Sequence, residues 1–154
     1  MAHFNLVLVA PEIPQNTGTI GRMAVSTDCT LHLIEPLGFS LEDKYVRRAG
    51  MDYWQHLDLQ LYHTWEDFLE RNQPGRMFFF STHGETSFWD IRYEIGDYLV
   101  FGRESAGLPP EFYQRYRDRL ALIPMPGRFS RSLNLANAAS IVLYEAMRQT
   151  RGAW

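Results

Sequence analysis

Three stretches of the chain combine glycine, carboxamide, hydroxyl and guanidinium groups at spacings that can hold a polar ligand. They are Asn16, Gly18 and Arg22 in "PEIPQNTGTIGR", Gly102, Glu104 and Gly107 in "GRESAGLPPE", and Ser132, Asn134 and Asn137 in "IPMPGRFSRSLNLANAASIVLYEAM". In the last, a short apolar strand passes through Pro, Gly, Arg128 and Arg131 into a helix whose opening reads Ser-Leu-Asn. Amide donors and the positive dipole end at a helix start favour anionic oxygen. Each residue alone has a plainer structural reading: the glycines supply turns, Asn16 or Ser132 caps a helix, and Arg22 lies on a solvated helix face. The combination carries weight only if one scaffold gathers all three stretches.

The pattern of apolar runs and breakers provides such a scaffold. "HFNLVLVA" reads as a buried first strand, followed by a helix capped by Asn16 or Thr17 and running to about Thr27. "TLHLIEP" reads as a second strand, and Ser40 with Asp43 as a capping box opening a helix that Gly50 ends. "LDLQLYH" is a third strand, and Thr64 with Asp67 opens the helix "TWEDFLERN". "RMFFFST" and "DYLVFG" are the fourth and fifth strands, "PPEFYQRY" is helical, "LALIPM" is a sixth strand, and Asn134 to Arg148 is the last helix. Strands alternating with helices imply an α/β domain with a mostly parallel sheet. Ligands of such sheets gather beyond the carboxyl ends of the strands, where all three stretches fall.

Bulk composition narrows the function classes. A chain of 154 residues, 45% hydrophobic, fits one domain with a proper core, here 1–154. Cys29 is the only cysteine, which excludes an internal disulfide and suits a reducing cytoplasm. No apolar run approaches membrane-spanning length, and the N-terminus does not read as a signal peptide. The formal charge of -3 argues against indiscriminate nucleic-acid binding, yet of the 15 Lys and Arg residues only Lys44 is lysine. Arginine suits bidentate phosphate contact and base stacking. It clusters in "KYVRR", "RYRDR" and "GRFSR", three spots that equally suit a solvated surface. G-x-G-x-x-G after the first strand, a P-loop and a G-x-S-x-G elbow are absent, and the five histidines show no metal-ligand spacing.

The three stretches resemble, in order and spacing, the three motifs of the SPOUT family of RNA methyltransferases. Asn16-x-Gly18-x-x-x-Arg22 is similar to the first, Gly102-x-Glu104-x-x-Gly107-Leu108-Pro109 to the second, and Ile123-Pro124-Met125 with Ser132-Leu133-Asn134 and Asn137 to the third. The similarity runs from Val7 to about Gln149. "IEPLGF", "KYVRRAGMDYW" and "LYEAMRQ" resemble, within that family, the enzymes that methylate the ribose of the tRNA wobble nucleotide.

This resemblance implies a SPOUT fold: a mostly parallel sheet with helices on both faces and a deep trefoil knot in the C-terminal part, against the usual rule of unknotted chains. It implies S-adenosylmethionine as cofactor, S-adenosylhomocysteine as product and no metal. It implies a homodimer, and the anticodon stem-loop of tRNA as partner, with cytidine or modified uridine at the wobble position of leucine tRNAs as target. Phe80, Gly102, Ile123 and Ser132 would line the adenosine site, with Met125 and Leu133 adjacent. Arg22, Asn16 and Asn134 would carry the transfer. Phe80, where a smaller aliphatic residue is common, and Arg103, where close relatives often have Pro, depart from the family pattern. Two other classes fit the same residues: a methyltransferase for another RNA, such as ribosomal RNA, and a non-catalytic RNA-binding relative.

Overall fold

The computed structural model describes residues 3–154. Seven strands form one sheet: β1 (Asn5–Val9), β2 (Thr30–Ile34), β3 (Leu59–Tyr62), β4 (Met77–Phe80), β5 (Thr86–Ser87), β6 (Tyr98–Phe101) and β7 (Leu120–Leu122). Their order is β3-β2-β1-β6-β4-β7-β5, and every pairing is parallel. Five helices connect them: α1 (Pro14–Ser26), α2 (Lys44–Gly50), α3 (Trp65–Asn72), α4 (Phe112–Arg115) and α5 (Leu135–Gln149). A 3-10 segment, Met51–His56, continues α2.

Strand alternation divides the apolar residues between two faces. Leu6, Leu8, Leu31, Leu33 and Leu99 pack with Ile20 and Ala24 of α1 and with Ala139, Val142 and Leu143 of α5. Val7, Val9, Phe79 and Val100 pack with Phe68 of α3 and Phe112 of α4. Both faces of the sheet are therefore covered, as a parallel sheet requires. Among the described residues no helix is long and apolar enough to cross a membrane.

Four local details differ from the sequence reading. α1 begins at Pro14 with Ile13 in the cap position and no side-chain cap, so neither Asn16 nor Thr17 caps it. Proline at a first helical position satisfies that start, because its missing amide is one that would go unpaired anyway. Ser40 does not cap α2; Asp43 does, its carboxylate accepting from the Tyr45 amide. Strand β5, only two residues long, has no sequence signature. The sixth predicted strand stops at Leu122, leaving Ile123 to Met125 as irregular chain. Thr64 does cap α3, accepting from the Asp67 amide.

One connection is unusual. β4 and β5 are joined by residues 81–85 alone, yet β7 lies between them in the sheet. Those five residues therefore arch over β7. The Ser81 amide donates to the Ala121 carbonyl at 3.0 Å. A Cβ on Gly84 would stand 2.6 Å from the Ala121 carbonyl carbon, so only glycine lets the arch sit this close.

Candidate active site

The carboxyl ends of β1, β4, β6 and β7 point into one cavity of about 470 Å³. Asn16 comes from α1, Phe80 and Gly102 follow from β4 and β6, Ile123 and Met125 follow β7, and Ser132, Leu133 and Asn134 lead into α5. Eight of the nine residues to which the resemblance gives a role in cofactor binding or transfer thus line one cavity. The ninth, Arg22, lies outside it. Its guanidinium donates to Met51 Sδ at 3.0 Å and stands 5.4 Å from the Tyr53 ring centroid, against the 3-10 segment.

Hydrogen bonds tie the three loops together. Glu104 Oε1 accepts from the Glu12 amide and Oε2 from the Ile13 amide, both at 2.8 Å. These are donors at the start of α1, the helix without a cap of its own. Glu104 Oε2 also accepts from Asn16 Nδ2 at 3.1 Å. Asn16 Oδ1 then accepts from Asn134 Nδ2 at 3.0 Å, and Asn134 Oδ1 accepts from the Asn137 amide at 3.1 Å. A carboxylate can only accept, so the direction of every bond in the run is fixed from Glu104 onward. Asn16 is 7% exposed, which makes each of its bonds costly to break. Glu12 closes the arrangement from the other side: its Oε1 accepts from the Ser105 hydroxyl at 2.7 Å and amide at 2.9 Å, and these bonds hold its carboxyl below the usual carboxylate range.

The floor is apolar. Phe80 and Phe101 stack with centroids 5.1 Å apart, and Leu135 and Ala138 of α5 join them. Gly102 meets the second loop as it returns: a Cβ there would fall 2.0 Å from the Gly107 carbonyl carbon. Gly107 holds a positive φ of 72° that suits glycine. An apolar floor, a carboxamide rim and the start of a long helix suit a flat heterocycle carrying a polar ribose.

Sequence reasoning passed over a fourth loop. Ser81, Thr82 and His83 of the arch also line the cavity, as does Tyr113 of α4. Ser81 Oγ and the Tyr113 hydroxyl are 2.9 Å apart, and the His83 ring stands edge-on to Tyr113. His83 reads in the sequence as a strand or surface histidine. Its place directly after a strand's carboxyl end was the available signal.

Comparison with known proteins agrees with this geometry. The profile described as the SpoU rRNA Methylase family matches residues 3–144. A tRNA (cytidine(34)-2'-O)-methyltransferase of Polaromonas sp. is 46% identical over 150 residues, covering 95% of this chain and 90% of its own. A solved structure bearing on the 2-OH methylation of C/U34 on tRNA superposes with a TM-score of 0.92 at 49% identity, covering 97% of both chains. An AdoMet-bound rRNA methyltransferase from Sinorhizobium meliloti aligns with a TM-score of 0.84 at 30% identity, covering 95% of this chain and 56% of that one.

Proposed function

The chain belongs to the SpoU rRNA Methylase family, and from that premise we propose that it methylates the ribose 2′-hydroxyl of the wobble nucleotide, position 34, of tRNA, using S-adenosylmethionine. The observation that carries this reading is the hydrogen-bonded run Glu104–Asn16–Asn134, which joins all three loops at the wall of one cavity.

The residues present fit the cofactor. The Phe80–Phe101 floor and Ile123 offer apolar contact to an adenine, and the backbone of Ile123, Met125 and Leu133 supplies polar groups along its edge. Ser132 and Gly102 complete the adenosine wall. When bound, the sulfonium cofactor supplies the electrophilic methyl group, and no resident metal is needed for that chemistry. The protein's share is alignment and charge stabilisation. Asn16 and Asn134, locked by their mutual bond, orient the ribose. Arg22 stabilises the developing alkoxide or holds the adjoining phosphate; a guanidinium, with a pKa above about 12, is a poor proton acceptor, so the proton leaves to phosphate or solvent.

Arg22 lies outside the cavity of its own chain, which supports a homodimer in which it serves the partner's cavity. α5 leaves Ile141 39% and Tyr144 54% exposed, a face suited to that contact. The arch over β7 supports a knotted C-terminal part, and the single cysteine supports a cytoplasmic protein.

Mass mapping tests the function. Purified enzyme, S-adenosylmethionine and unmethylated tRNA should add one methyl to the ribose of nucleotide 34, in leucine isoacceptors first. Methylation confined to ribosomal RNA would replace the substrate, and absence of transfer to any RNA would sink the enzymatic reading. Subunit exchange tests Arg22: mixing Arg22→Ala with a Ser132→Trp chain should restore activity if sites are shared, and leave the mixture dead if Arg22 serves its own chain.

A further inference from the structure

Phe129 is the most exposed large apolar side chain among the described residues, at 86%, with Trp89 next at 60%. It sits in a turn that both begins and ends at the cavity wall, since Met125 and Ser132 line the cavity on either side of it. The turn is closed on itself: the Ser130 amide donates to the Gly127 carbonyl and the Ser130 hydroxyl to the Met125 carbonyl, both at 3.2 Å. Phe129 is three residues from Ser132, so its Cα lies no more than roughly 10 Å from that of Ser132. The Arg128 guanidinium carbon stands 5.2 Å from the Phe129 ring centroid. Among the described residues neither Arg128 nor Arg131 belongs to an ion pair, whereas Arg47, Arg71, Arg76, Arg115 and Arg148 do.

The ring is left in water with the unpaired Arg128 beside it and the unpaired Arg131 two residues on. Its chain neighbours Pro126, Gly127, Arg128 and Ser130 include no second large apolar side chain. One flat ring flanked by guanidinia matches an unpaired nucleobase with phosphates on either side. We propose that Phe129 is a stacking platform for a base flanking the methylated nucleotide, with Arg128 and Arg131 on the adjoining phosphates. This rests on the RNA-methyltransferase reading and deepens it: the turn reads an opened, single-stranded loop and not a duplex, because a base stacked inside a duplex has no free face to offer. Phe129 positions the substrate and takes no part in bond making.

A synthetic anticodon stem-loop with cytidine at position 34 and 2-aminopurine next to it tests the assignment. With the wild-type protein, binding should quench the 2-aminopurine. Phe129→Ala should abolish the quench and raise KM for the RNA by roughly tenfold or more, the loss of one base–aromatic stack. kcat and the calorimetric affinity for S-adenosylhomocysteine should change little, and Phe129→Tyr should restore both quench and KM. Unchanged quench and KM in Phe129→Ala would overturn the proposal. So would a change of sedimentation with the RNA readouts unmoved, which would mark a contact between copies. Binding of a labelled unstructured RNA oligonucleotide runs alongside. If the wild type fails to methylate the stem-loop yet Phe129→Ala still weakens this oligonucleotide, the wobble reading falls and the platform stands; if neither RNA senses Phe129, the platform falls.

Discussion

At Glu104 one carboxylate accepts from two amides at the start of α1 and from the side chain that reaches across to Asn134. Helix capping and site geometry therefore share a single residue. Glu104→Ala should cost about 2–3 kcal/mol in urea unfolding, the scale of losing charge-assisted bonds at a part-buried site. It should also depress transfer more than cofactor affinity, because it frees Asn16 and Asn134 while leaving the floor intact. Gly102→Ala is the complementary case: its Cβ would meet backbone at 2.0 Å, so calorimetry with S-adenosylhomocysteine should show binding lost. A different residue governs acid stability. His32 is 2% exposed, and burial lowers its pKa from 6.5 to about 4. Asn5 is oriented by donating to the Gly96 carbonyl, so its Oδ1 faces His32 and accepts a hydrogen bond from Nε2–H, leaving Nδ1 to accept from the Tyr62 hydroxyl. Between pH 6.5 and about 4 the unfolded chain binds a proton that folded His32 refuses, so stability falls as pH falls, by roughly 3 kcal/mol over the window. Urea midpoints measured from pH 7 to 4 should trace that decline, and His32→Asn should flatten it.

Elements show where sequence patterns suffice and where they do not. The apolar runs of β1, β2 and β6 are buried nearly throughout, and their lengths and spacing mark them without ambiguity. The carboxyl ends of β1 and β6, with Gly102 and Gly107 after β6, likewise locate the cavity. Cap assignments are harder, because Ser40 and Asp43 are both good caps three residues apart and only tertiary packing chooses. Asp43→Ala should therefore cost about 1 kcal/mol and Ser40→Ala a few tenths at most, measured by thermal or urea unfolding. The start of α1 carried a readable proline signal, but the cap that replaces a local one comes from Glu104, 91 residues from Ile13. No local window contains such a partner. β5 is illegible for a similar reason: two residues become a strand only because β7 offers them an edge.

The whole molecule is set by how its C-terminal third enters the sheet. If the proposed dimer is built on α5, combining Ile141→Asp with Tyr144→Asp should give a monomer by sedimentation, and transfer should fall with it if Arg22 serves the partner. The arch at 81–85 has a separate consequence. β4 and β5 are held about two strand spacings apart, roughly 10 Å, by a link too short to swing aside. A chain emerging from the ribosome carries residues 77–87 before β7 exists, and residues 86–87 can pair only when β7 fills the slot between them and β4. Every cavity residue beyond position 120 arrives only when that slot is filled. Ligand competence is then the final property the nascent protein acquires, and a chain stalled or truncated before β7 has no half-active form.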